Sequence, residues 1–446
     1  MLQLPQGAQY VLESLKKNGY QAYAVGGCVR DSLLGRQPKD WDICTDALPE
    51  DMQRVFRGEH VIETGLKHGT LTVMRDGEPY EVTTFRVDGE YTDHRHPDGV
   101  HFVKEVREDL ARRDFTINAM AWNPETGIVD AFGGREDLQQ GLIRCVGEAE
   151  MRFGEDALRI MRALRFASVY GFRIEAETAR AIHALKDTLH EVAAERIRVE
   201  LAKLLCGRGV GQILREYSDV IFAILPQLAP MQGCDQRTPF HAYDAWEHTV
   251  RAVESVPARE VLRLTMLLHD AGKPAAFTVD ENGVGHAHGH HIKSVEIARQ
   301  VLTYLRVDNA TRDRVLLLVE HHDVPLNGER LLLKRRLKKL GAEALHQLID
   351  VQCADEAAKG TEIARTVREQ KMAIRPALEA LLAENPCVTL KDLAVGGNDL
   401  MAVDVKGRQL GEMLNWLLDE VVAERLPNEH DALMAAAMAH TRMPNA

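Results

Sequence analysis

Two carboxylates, Asp40 and Asp42, flank Trp41 just downstream of the segment Val25-Gly-Gly-Cys-Val-Arg-Asp-Ser-Leu-Leu-Gly35. On an extended strand residues i and i+2 face the same side, so the two carboxylates can share metal ions while Trp41 turns away. Gly26 and Gly27 let the backbone approach a phosphate with no Cβ in the way. Mg²⁺ grips phosphate oxygens through one or two carboxylates, and the pattern suits metal-dependent nucleotidyl transfer.

Two further segments follow in order: Arg112-Arg113-Asp114-Phe115-Thr116-Ile117-Asn118-Ala119-Met120-Ala121, and Glu155-Asp156-Ala157-Leu158-Arg159-Ile160-Met161-Arg162-Ala163-Leu164-Arg165-Phe166-Ala167. With the glycine segment they closely resemble the class II, bacterial-type CCA-adding tRNA nucleotidyltransferases. Weaker resemblance continues through Gly396-Gly397-Asn398-Asp399-Leu400 and Lys406-Gly407-Arg408-Gln409-Leu410-Gly411. The resemblance implies that a tRNA 3′-hydroxyl attacks the α-phosphorus of CTP or ATP and that pyrophosphate leaves. It places two Mg²⁺ on Asp40 and Asp42. It adds Glu81 as the third acidic group, able to deprotonate the attacking hydroxyl, on a strand whose Val82 and Thr84 face the other way.

Gly27, Arg30, Arg113, Arg162 and Arg165 are expected at the nucleotide or RNA phosphates on the same grounds. Asp156 and Arg159 are expected three apart on one helix face, where together they read the base. A carboxylate accepts from the exocyclic amine of C or A, and a guanidinium donates to the adjacent ring nitrogen. U and G would present an unpaired acceptor instead. Asp114 reads as structural, accepting amide hydrogens at the start of a helix over 116–121. The loop from Arg86 to Pro97 resembles the flexible loop that family members need for the final A.

A second constellation lies downstream: His248, then Leu267-Leu268-His269-Asp270-Ala271-Gly272-Lys273, Gly289-His290-His291, Glu320-His321-His322-Asp323 and Ala354-Asp355-Glu356. It resembles the HD-domain phosphohydrolases, in which separated His, His-Asp and Asp residues on helices hold a divalent metal. The expected ligands are His248, His269, Asp270 and Asp355, with Asp350 and Asp323 as competitors for the last place and His290 and His321 as additional candidates. Imidazole plus carboxylate suits Mn, Ni, Co or Zn. Such a site could hydrolyse 2′,3′-cyclic or 3′-phosphorylated RNA ends.

The chain must position both sets. Its 446 residues exceed one core, and 45% hydrophobic content is ordinary for a globular protein. No run approaches the roughly 18 apolar residues of a membrane span. The start, Met1-Leu2-Gln3-Leu4-Pro5-Gln6, shows no signal-peptide pattern, and seven scattered cysteines fit reduced thiols, so the cytoplasm is the expected compartment. A net charge of −12 argues against indiscriminate coating of nucleic acid, so a tRNA would need a local basic surface, expected at about 159–215.

The expected fold is α+β: a polymerase-β-like head with a mixed sheet over 1–140, a helical neck and body over 141–235, an HD domain over 236–360 and a helical tail over 361–446. Strands are expected at 21–25, 40–45, 69–75, 79–86 and near 100–104, and helical pattern at 1–20 and from Arg112 to Ala121. Residues 226–240 form a Pro/Gly/Gln-rich break. An A-adding enzyme or a poly(A) polymerase shares the head motifs. The latter would be expected to end in a strongly basic region, whereas this chain ends with Asp419-Glu420 and Glu429-His430-Asp431. From another class, an HD phosphohydrolase with an RNA-holding head would not need all three carboxylates.

Overall fold

The apolar runs of the first half assemble a seven-stranded mixed sheet. The structure, a computed structural model, describes residues 2–89 and 99–442. It divides into two compact units, Met1–Ala229 and Pro230–Ala446. In the first, strands β1 (Ala22–Val25), β2 (Asp42–Thr45), β3 (His60–Ile62), β4 (Thr70–Arg75) and β5 (Glu78–Thr84) precede a small hairpin, β6 (Arg86–Asp88) and β7 (Val100–Phe102). Strands β8 (Met120–Asn123) and β9 (Gly127–Asp130) complete the sheet in the order β3-β4-β5-β2-β1-β8-β9. Every neighbouring pair is antiparallel except β2 and β5.

One face of the sheet covers a core of Tyr23, Val25, Cys44, Phe85, Leu110, Ala119 and Ala121. An amphipathic helix, Gln6–Lys17, buries Ala8, Val11, Leu12 and Leu15, spaced as a helical apolar stripe requires. Residues 40 and 41 precede β2 rather than belonging to it, and the expected helix from Arg112 to Ala121 reduces to one 3₁₀ turn, Thr116–Asn118, before β8. Asp114 competes there with helical hydrogen bonding: its carboxylate accepts from the Phe115 amide at 2.8 Å. Of the Arg86–Pro97 loop, residues 90–97 lie outside the described residues.

Beyond the sheet, helix Leu158–Tyr170 packs against Ala194–Leu205 and ends at Gly171, whose φ of +61° is the left-handed stop that glycine adopts freely. The second unit is almost wholly helical. Helices Ala245–Ser255, Glu260–Leu268, Asn309–His321 and Ala342–Ala358 pack together through residues such as Val250, Leu264, Leu318 and Val351. Further on, Leu400, Met413, Leu417, Val421 and Leu433 close a separate small core. No helix among the described residues is long and apolar enough to cross a membrane.

Candidate active site and candidate metal centre

Strand register sets the first site. Asp42 and Glu81 are direct partners across the parallel β2–β5 pair, so their side chains stand about 4.8 Å apart on one face. Asp40 adds a third exposed carboxylate, and Asp40, Asp42 and Glu81 all project from residues open to solvent. Asp42 is nevertheless crowded by protein at its base. Lost hydration, then the Glu81 charge, raise its pKa, Arg113 opposes the rise, and Asp40 adds to it. Three like charges held together in this way are stabilised by a cation, which is the observation that fits Mg²⁺ to this donor set.

The glycine turn lies beside them. Gly26 adopts φ +77° and ψ −122°, and a Cβ there would lie 2.6 Å from Arg113 Nη1. Gly27 opens the short helix Gly27–Leu33. Arg113 is anchored by the buried Asp109 at 3.5 Å and is attracted by Asp42 and Asp114.

Arg30 does not reach outward to a phosphate. Its guanidinium is buried, donates to Asn118 Oδ1 and, at 2.9 Å, to Asp31, and lies 5.1 and 4.9 Å from the ring centroids of Phe166 and Tyr170. Cation–π and hydrogen-bond partners hold it inward, so its part is to tie the glycine turn to helix Leu158–Tyr170. Arg162 donates to Asp114 through Nε at 2.8 Å and through Nη2, and Arg165 pairs with Glu200 while stacking on Phe166 at 3.8 Å. Burial alone would raise the Asp114 pKa, but Arg162 and the Asn118 amide outweigh it and bring it to about 2.

Asp156 and Arg159 do not share one helix. The chain breaks between helix Ala149–Glu155 and helix Leu158–Tyr170, with Asp156 extended at φ −143°. The cause is local capping: Asp156 Oδ1 accepts from the Leu158 amide at 3.0 Å. Its Oδ2 pairs with Arg196 at 2.9 Å, while Arg159 pairs with Glu155 and donates to the Arg152 carbonyl at 3.1 Å. The two remain neighbours, joined by the Arg159 amide to the Asp156 carbonyl at 2.9 Å, but each side chain has another partner.

In the second unit, ligand atoms of His248, His269, Asp270 and Asp355 all lie within 4.8 Å of one another. His248 Nε2 is 3.0 Å from Asp355 Oδ1 and 3.2 Å from Asp270 Oδ2, and His269 Nε2 is 3.2 Å from the same Asp270 oxygen. His269 Nδ1 is 2.7 Å from the Met266 carbonyl, which fixes the proton on Nδ1 and turns the Nε2 lone pair to the centre. Burial would lower the His269 pKa, but Asp270 and Asp355 hold it up to about 9. Both oxygens of the buried Asp270 lack a well-directed hydrogen bond, although Lys273 Nζ approaches to 2.6 Å. Carboxylate oxygens and imidazole nitrogens converging on one buried point fit a divalent transition metal. A cleft of about 370 Å³ lined by His241, Lys273, His288, His291 and Lys359 opens onto Asp270 and Asp355.

His321 stands apart from this centre. Its Nδ1 meets the Leu317 carbonyl at 3.0 Å and its Nε2 meets Lys339 at 3.2 Å. The ring that turns inward is its neighbour His322, with Nε2 at 3.1 Å from His290 Nε2. Helical phase carried that signal: Val315, Leu318, Val319 and His322 follow the i, i+3, i+4, i+7 pattern of one buried face. Asp350 and Asp323 are engaged elsewhere, with Arg375 at 2.5 Å and His291 at 3.6 Å.

A family model described as the poly A polymerase head domain matches residues 22–144, and one described as tRNA nucleotidyltransferase domain 2 matches residues 290–437. A CCA-adding enzyme of Levilactobacillus brevis is 36% identical over 432 residues, which is 96% of this chain and 96% of that relative. The chain belongs to the CCA-adding enzyme family. It is a nucleotidyltransferase. A Leuconostoc mesenteroides CCA-adding enzyme is 50% identical over 215 residues, 48% of this chain and 53% of that protein. The crystal structure of the Bacillus stearothermophilus CCA-adding enzyme in complex with CTP superposes with a TM-score of 0.72 at 31% identity, covering 98% of this chain and 97% of that one. Membership in the CCA-adding family also frames what sequence reasoning passed over. Glu155, Arg196 and Glu200 pair with Arg159, Asp156 and Arg165, and their signal was charge alone, spread across two helices.

Proposed function

We propose that the protein adds and repairs the 3′-terminal CCA of tRNA from CTP and ATP, releasing pyrophosphate. The carrying observation is the Asp42–Glu81 register beside Asp40 and the glycine turn, in a chain with full-length CCA-adding relatives. Asp40 and Asp42 would hold Mg²⁺, which supplies charge neutralisation on the triphosphate and leaving pyrophosphate. Glu81 takes the proton of the attacking 3′-hydroxyl as its oxygen bonds to the α-phosphorus and the bond to the β-phosphate oxygen breaks. Gly27 and Arg113 border the triphosphate, while Arg162 and Arg165 face it only by sharing Asp114 and Glu200. Arg30 positions the turn. Asp156 and Arg159 read the base once Arg196 and Glu155 yield them.

The domain division 1–140, 141–235, 236–360 and 361–446 follows this reading, as does a cytoplasmic location, supported by seven cysteines with no disulfide among the described residues. The test is incubation with tRNA lacking its terminal CCA. CTP alone should extend it by two residues, CTP with ATP by three, and UTP by none. Addition of A only to a CC-ended tRNA, or a long A tract, would replace this reading by one of its two alternatives.

A second activity is favoured by the His248–His269–Asp270–Asp355 cluster at the floor of an open cleft. With Mn, Ni, Co or Zn bound there, the unit would hydrolyse phosphate esters such as 2′,3′-cyclic RNA ends. Hydrolysis of 2′,3′-cyclic CMP that depends on such a metal tests it.

A further inference from the structure

Arg30, Arg36 and Arg208 meet at Tyr170, the last residue of helix Leu158–Tyr170. The buried Arg30 lies 4.9 Å from the Tyr170 ring centroid, and the exposed Arg36 lies 4.8 Å from it. Arg208 donates through Nη2 to the Tyr170 carbonyl and crosses Gly171, where a Cβ would stand 2.7 Å from Arg208 Nε. The Tyr170 hydroxyl donates to Asp31 at 2.9 Å, and Asp31 belongs to helix Gly27–Leu33, which starts at the glycine turn. Burial pushes the pKa of that hydroxyl up to about 12, so it keeps the proton it donates. The ring is thereby fixed to the turn beside the carboxylates, and so are the guanidiniums seated on it.

Charge balance separates these arginines from the others nearby. Arg159, Arg162 and Arg165 are neutralised by Glu155, Asp114 and Glu200, and Arg30 is turned inward to Asn118 and Asp31. Arg36 and Arg208 are exposed, and neither makes an ion pair among the described residues. A guanidinium seated on an aromatic ring keeps its N–H edge for bidentate contact with a phosphate. Two such unneutralised groups form a local basic site in a chain of net charge −12.

Placement decides which phosphate. Helix Gly27–Leu33, about 10 Å long at a rise of about 1.5 Å per residue, puts Arg36 at the far end from the turn that borders the triphosphate. The chain then returns: four residues at about 3.5 Å each keep Arg36 Cα within about 14 Å of Asp40 Cα. That span is about four nucleotides of one strand, at about 3.4 Å each. We propose that Arg36 and Arg208, both anchored on Tyr170, bind backbone phosphates of the RNA strand whose 3′-hydroxyl attacks at Asp40 and Asp42. The subsite rests on the tRNA reading above and names the residues that hold its substrate.

Filter binding of tRNA lacking its CCA, from about 50 to 200 mM KCl, tests it with Arg36→Gln, Arg36→Lys and Arg208→Gln, near-ultraviolet circular dichroism confirming the fold. Each phosphate contact contributes about 0.7–0.9 to the slope of log Kd against log salt. Arg36→Gln and Arg208→Gln should each flatten the slope by that amount and weaken binding about five- to eightfold at about 0.1 M salt. Arg36→Lys should restore the slope, and KM for CTP should move less than about twofold. An unmoved slope in Arg36→Gln, or an Arg36→Lys variant as impaired as Arg36→Gln, leaves Arg36 a packing part and overturns the subsite. A rise in KM for CTP as large as the loss of tRNA affinity assigns Arg36 to the triphosphate and overturns it too. Because Arg36 is exposed, Arg36→Gln decides the test even if Arg208→Gln does not fold. Wild type that neither binds nor extends tRNA overturns the CCA reading and the subsite with it. Wild type that does both keeps that reading, whatever the variants show.

Discussion

Replacing Asp114 by Asn should loosen the joint between the segment before β8 and helix Leu158–Tyr170 by an amount the structure sets. Its carboxylate is 8% exposed and accepts from Arg162, from Asn118 at 3.0 Å and from the Phe115 amide. Burial works against ionisation, yet the partners bring its pKa from 3.8 to about 2. At 1.36 kcal/mol per pH unit, that difference stabilises the folded form by about 2 kcal/mol. Because the folded pKa is depressed, the contribution is complete above pH 3.8 and is lost as pH falls toward 2. At pH 7 the Asn variant therefore forfeits all of it, and Arg162 is left without its counter-charge. Native-state hydrogen exchange measures this locally: amides of β8 and of helix Leu158–Tyr170 should exchange about 30-fold faster, since about 2 kcal/mol is about 1.5 decades. Acceleration below about fivefold would show that Arg162 finds another partner and that Asp114 is not the joint.

Asp42→Ala should abolish CTP and ATP incorporation while tRNA binding in a filter assay stays within about twofold; unchanged incorporation at saturating Mg²⁺ would remove the metal assignment. Asp156→Ala should erode the preference for CTP and ATP over UTP in kcat/KM ratios more than it weakens triphosphate binding, and a fully retained preference would leave Asp156 as a cap and partner of Arg196. Gly26→Ala places a Cβ at a strained φ against Arg113, costing about 1–3 kcal/mol, so kcat/KM for CTP should fall about 5- to 150-fold. His269→Ala with Asp270→Ala should eliminate metal-dependent hydrolysis of 2′,3′-cyclic CMP and leave CCA addition intact, because the carboxylates of the transferase site belong to the other unit.

Periodicity made most of the fold legible. Alternation in Glu78–Thr84 placed Glu81 on the open face, and apolar spacing of three and four marked Leu158–Tyr170. The break at Asp156 was hidden because the apolar and basic periodicity runs through it, while the deciding event is one carboxylate capping one amide. The destination of Arg30 was hidden for a related reason. Phe166 and Tyr170 lie more than a hundred residues away, and only the tertiary fold shows that aromatic rings wait for that guanidinium. The distinction between His321 and His322 was available from helical phase, whereas the convergence of His248, His269, Asp270 and Asp355 joins distant segments and has no linear signature.

The lone parallel pairing in the head sheet has a consequence for how this molecule can change length. Strands β2 and β5 hold Asp42 opposite Glu81, and everything from Asp46 to Gly77 is the excursion that returns the chain to pair in the same direction. Residues added or lost within that excursion alter β3, β4 or their turns at the sheet edge and leave the carboxylates in step. One residue inserted inside Asp42–Thr45 or Glu78–Thr84 would turn Glu81 or Asp42 into the core. Grafts, tags and natural insertions should therefore be accepted in the crossover and refused in two short strands of four and seven residues.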